Sequence, residues 1–180
     1  MKTMTTCCVL AIAGCMGLNG QGYAADTPTT RAAAPAAASA VPAAKGPLLD
    51  LALEAARTAI ATCVDLQQHV GVTVLDSAGV TKVTLAADGT LPRGVASSQS
   101  KAQTALAFQR PTSQLGEQVK TDTTLAAQIA GNTGYNVRAG GILLFSHGEL
   151  IGALGVGGAK GSEKDEACAL AGLAKVQDKL

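Results

Sequence analysis

The 180-residue chain contains no tryptophan, and aromatic residues make up only 2% of it. Platforms that stack single-stranded nucleic acid are built from aromatic rings, and beyond the first 25 residues only Phe108, Tyr135 and Phe145 could supply one. Charge of one sign is also missing. Lys and Arg number 14 against 13 Asp and Glu, a formal net charge of +1, which leaves no electrostatic footprint for a phosphate backbone. Both absences argue against a nucleic-acid partner. Enzyme signatures are absent as well: there is no GxSxG elbow, P-loop, HExxH pair or EF-hand loop. A wholly disordered chain is excluded by what is present, since 47% of the residues are hydrophobic and only 15% are charged.

The apolar run at residues 7–18 (CCVLAIAGCMGL) falls short of the roughly 20 residues that a membrane-spanning helix needs. Preceded by Lys2, it has the form of an export signal covering residues 1–24. Two processing sites compete, one after Gly22-Tyr23-Ala24 and one a lipobox-like Ile12-Ala13-Gly14-Cys15 that would anchor the chain through an acylated Cys15. Either choice predicts an exported protein, periplasmic or extracellular. Residues 25–46 are Ala/Pro/Thr-rich without apolar periodicity and read as a linker, equally a plain leader or a membrane tether.

The domain is predicted over residues 47–180. Lys2, Arg31 and Lys45 precede it and so does Asp26, leaving 11 basic and 12 acidic residues, so no basic face for a membrane is expected. Of the five cysteines, Cys7, Cys8 and Cys15 lie in the signal. Cys63 and Cys168 remain, to be read as one disulfide or two buried thiols. A metal site on them is not supported, because no CxxC or Cys/His cluster accompanies them.

Within the domain, apolar residues at three-to-four spacing predict a first helix capped by Asp50 and running up to His69, with Gly71 as its stop. Strand-like runs 72–75 and 80–85 flank the turn 76–79 and make a hairpin. A second helix is expected from Val95 to Gln109, closed by Arg110-Pro111. Thr112 would cap a short third one through Val119, and residues 123–130 add a further turn or two. Strands 142–145 and 150–156 form a second hairpin. Ser162 and Asp165 read as a capping box for a C-terminal amphipathic helix. The order implies an α+β class, an antiparallel sheet of about four strands with helices packed on it. The Gly-Val-Gly-Gly stretch at 155–158 lacks the order of a phosphate loop and fits close strand packing better.

The candidate ligand-binding side chains are few. His69 and His147 are the only histidines and so the only strong iron ligands, against plain readings as a helix-end cation and a solvated turn residue. Arg93, Lys101 and Arg110 are cations in or beside the second helix that could hold an anion such as a propionate, or simply be solvated or ion-paired.

The block Lys101-Ala102 with Thr104-Ala105, Phe108 and Pro111-Thr112, then Gly140-Gly141, Gly148, the run Ile151 to Ala159 and Asp165-Glu166 resembles the HbpS/GlcG family of small haem-binding proteins. The resemblance implies a profilin-like antiparallel sheet flanked by helices, assembly into homo-oligomers, haem as cofactor, and a membrane sensor or transporter component as a partner. Some relatives are described as haem-degrading. Haem is then expected near the second helix and its preceding loop. The profilin-like arrangement also implies that the first and last helices lie side by side, pairing Cys63 with Cys168. A module of the same fold for some other small molecule remains the alternative.

Overall fold

A computed structural model describes residues 44–180; the expected signal and most of the linker lie outside the described residues. The chain runs α1 (Leu49–Asp65), β1 (Gly71–Asp76), β2 (Thr81–Ala86), α2 (Pro92–Phe108), α3 (Thr112–Gln118), α4 (Thr123–Ala130), β3 (Gly141–Ser146), β4 (Glu149–Gly157) and α5 (Ser162–Val176), ending in a 3-10 turn. All strand pairs are antiparallel in the order β2-β1-β4-β3, so the two hairpins meet through β1 and β4. Lys45 is already part of the fold, exchanging hydrogen bonds with Ser77, so the domain begins slightly before Pro47.

Strand alternation assigns each face its cover. Val72, Val74, Leu154 and Val156 point to the face under α1 and α5, where the larger core lies. Leu75, Leu143 and Ala153 point to the other face, under α2. The small-residue composition explains how a chain so poor in aromatics packs. A Cβ on Gly155 would stand 2.1 Å from the Ser98 carbonyl oxygen, and one on Gly141 2.4 Å from that of Lys101. Helix α2 therefore rests directly on strand backbone. The α1–α5 contact follows the same logic: Ala52, Ala55, Ala56 and Ala59 are fully buried, and a Cβ on Gly172 would come within 2.6 Å of the Ala55 carbonyl. A disulfide joins these two helices between Cys63 and Cys168, whose Cα atoms are 5.6 Å apart.

Several expected termini differ from the sequence reading. The N-cap of α1 is Leu48, without a side-chain cap, and not Asp50. The helix stops at Asp65 because Gln67 takes a left-handed φ of 56°, with Gln67 N–H donating to Val64 O and Gln68 N–H to Cys63 O, a Schellman closure. Consequently His69 is a loop residue, not a helix-end cation. Thr112 does not cap α3: its Oγ1 accepts the Gly141 N–H at 2.9 Å and ties the helix to β3. The Ser162–Asp165 capping box is not formed either. Gly161 is the N-cap of α5, and the Asp165 carboxylate turns inward.

Candidate functional site

The sheet has one end where Gly71 pairs with both Ala86 and Gly157, and where β3 begins. Four segments converge there: the α1–β1 loop, the β2–α2 loop, the loop leading into β3, and the β4–α5 loop. Between them lies a cleft of two adjoining lobes, about 470 and 270 Å³. Arg93, Gly94, Gly158 and Lys160 border both lobes. The smaller, outer lobe adds His69, Gln68 and Leu91. The larger, inner lobe adds Ser97, Asn136 and Arg138, with Lys101 and Asp165 at its floor.

His69 is held by a contact of 2.6 Å between its Nδ1 and the Asp88 carbonyl oxygen. A carbonyl only accepts, so Nδ1 carries a proton, and in the neutral imidazole the lone pair is then on Nε2, the arrangement usual in metal-ligating imidazoles. The turn that presents this carbonyl needs Gly89, whose φ is 79°. Close by, Lys160 N–H donates to Gln68 Oε1 at 2.8 Å and fastens the β4–α5 loop to the residue before His69.

Lys101 departs from its expected role. It is 1% exposed, and its Nζ donates to Asp165 Oδ2 at 2.6 Å and to the Val156 carbonyl at 3.0 Å. Burial pushes its pKa below the ordinary value, with the hydrogen bond to Asp165 and its charge opposing. Asp165, 3% exposed, also accepts the Ala159 N–H at 3.0 Å, so one carboxylate anchors both α2 and the β4–α5 loop. Lys101 is thus a strut beneath the cleft rather than a free cation above it. By contrast Arg93, Arg138 and Lys160 are exposed and have no carboxylate within ion-pair distance among the described residues.

Two other candidates fall elsewhere. Arg110 lies past the far end of α2, about 25 Å from Arg93 at 1.5 Å per residue, and its guanidinium donates to Gln118 Oε1. His147 occupies the β3–β4 turn, about 27 Å from the cleft along β4. One chain therefore cannot bring both histidines to one iron. Arg138 and Lys160, by contrast, carry no expectation from the sequence, and Asp165 is expected only as part of a helix cap and of the family-like motif.

A family model described as "Haem degrading protein HbpS-like" matches residues 48–174. The chain belongs to the HbpS-like family. The crystal structure of HbpS is similar to this HbpS-like domain at 33% identity, covering 78% of this chain and 97% of that one with a TM-score of 0.68. A double mutant of Streptomyces reticuli HbpS matches at 34% identity over 79% and 97% of the two chains, TM-score 0.68. A PduOC:heme complex matches at 26% identity over 72% and 94%, TM-score 0.66. No curated protein matches the chain. The HbpS-like family is thus haem-related, and the α+β fold is that of its solved members.

Proposed function

We propose that this protein is an exported haem-binding protein acting in haem uptake, storage or sensing, and that the outer lobe would hold haem with His69 ligating its iron. The observation that carries the reading is the His69–Asp88 contact, which orients an imidazole with a free Nε2 beside Arg93 and Lys160. These residues suit one edge of the group, since a lobe of about 270 Å³ does not enclose a whole porphyrin. Gly89, Gly94 and Gly158 present bare backbone and Leu91 an apolar side chain to a flat ring, while the two unpaired cations suit propionates. Iron in the bound group supplies the redox chemistry; the protein's part is to ligate and orient it.

Export is supported by the Cys63–Cys168 disulfide, a bond that persists in oxidising compartments. Self-association is part of the same proposal, since Val64 and Leu66 at the end of α1 and Leu170 on α5 are exposed apolar side chains. Titration of the purified domain with hemin, followed in the Soret band, tests the haem reading. Saturable binding that weakens in His69→Ala and is untouched in His147→Ala supports it. Equal binding by all three proteins removes His69 from the site.

A further inference from the structure

The inner lobe differs in chemistry from the outer one. Apart from glycine and alanine, every side chain lining it is polar or charged. Arg93, Lys101, Arg138 and Lys160 stand against the single carboxylate of Asp165, which is already bound to Lys101 and to Ala159 N–H. An apolar porphyrin gains nothing from burying its face against such walls, because each cation and amide would lose its water without a partner. A small anion does the opposite. It brings carboxylate oxygens to guanidinium groups that match them two bonds at a time.

The neutral polar groups are held ready for such a ligand. The Asn136 backbone N–H donates to Thr104 Oγ1 at 2.8 Å, and its amide reaches Ser97 Oγ at 3.3 Å, so the loop into β3 is strapped along α2. The Asn136 Oδ1 accepts the Arg138 N–H at 3.1 Å and fixes where Arg138 leaves the strap. The positive charge of Arg138 is felt at Lys101, where it disfavours the ammonium. A bound anion would relieve that repulsion.

We infer that the inner lobe is a separate binding site for a small dicarboxylate, held between Arg138 and Arg93 with the Ser97 hydroxyl, which accepts from the Asn136 amide, as a neutral donor. This site does not depend on the haem reading. The same carboxylate chemistry could come from a haem propionate, and the test distinguishes the two sources. Calorimetric titration of the disulfide-intact chain with succinate, using inorganic phosphate as a charge control, is followed by hemin titration of the same proteins. The site predicts saturable succinate binding, weakened about tenfold or more in Arg138→Gln, because a charge-assisted bidentate contact is lost. Hemin affinity of Arg138→Gln stays that of the parent protein, and succinate still binds the hemin-loaded protein through Arg138, more weakly because a propionate shares Arg93, which borders both lobes. Displacement of succinate by hemin in equal proportion would assign the lobe to propionates and overturn the inference. Absent succinate binding, or binding as weak as phosphate's and insensitive to Arg138→Gln, overturns it as well, whatever the outcome of the hemin arm.

Discussion

Replacing Lys101 by Met should be among the most destabilising single changes in this domain. The substitution keeps the length of the side chain but leaves the Asp165 carboxylate, 3% exposed, with only the Ala159 N–H as a hydrogen-bond partner. Removing one member of a buried pair costs about 3–5 kcal/mol, because the other is left as an uncompensated charge. For a domain of this size that corresponds to a fall in melting temperature of roughly 10–20 °C. Asp165→Asn removes the charge from the other side and leaves the Lys101 ammonium buried. The double variant Lys101→Met/Asp165→Leu removes both charges and should recover most of the loss, since well-packed apolar replacements of a buried pair are often neutral or better. Urea denaturation of the parent, Lys101→Met, Asp165→Leu and the double variant closes the cycle. The pH dependence supplies a second readout. Burial lowers the Lys101 pKa in the folded state, so between that value and its ordinary one the unfolded chain holds more protons, and stability rises with pH across the window. Asp165→Asn removes the opposing influence of the carboxylate and should extend the rise to lower pH. Single-variant losses below about 1 kcal/mol that add in the double variant would refute the reasoning, because surface pairs behave in that way.

Reduction of the Cys63–Cys168 bridge, which spans 105 residues in sequence, should cost about 2–4 kcal/mol in guanidinium denaturation by freeing the unfolded chain. Gly155→Ala should destabilise by about 1–3 kcal/mol, as its Cβ would stand 2.1 Å from the Ser98 carbonyl and lift α2 from the sheet. The same change at Gly148, where a Cβ meets nothing within 4 Å, should cost only the strain of a φ near 81°, and thermal melts of the two variants compare them directly. Light scattering of the domain should give a mass above that of one chain, and Leu66→Glu with Leu170→Glu should lower it.

The α+β class and the order of its elements were legible in apolar spacing and in the turn residues. The end of α1 was not, although α2, α3 and α4 begin and end within about three residues of the expected positions. Stop signals in a sequence are mostly glycines, whereas here Gln67 and Gln109 take the left-handed positions, at φ 56° and 47°, and close α1 and α2. The glycines of β4 read correctly as close-packing positions, because a missing Cβ has one main use in a strand. Lys101 shows how a charged residue misleads. It falls on the stripe Gly94, Ser98, Lys101, Ala105, whose three-to-four spacing marks the buried face of α2. Only the distant Asp165 makes that position tolerable. Arg138 and Lys160 carried no signal of their own: they come from separate loops, and the order β2-β1-β4-β3 brings them to the same end of the sheet as Arg93.

The central claim is that the His69 imidazole, held in its Nδ1–H form by the Asp88 carbonyl, ligates haem iron in the outer lobe. Electron paramagnetic resonance of the hemin-loaded protein, compared with His69→Ala alone and with added free imidazole, tests it most directly. The account predicts that the histidine-ligated signal disappears in His69→Ala and returns when imidazole fills the vacated position. A signal that is the same in both proteins, with no response to imidazole, would contradict it.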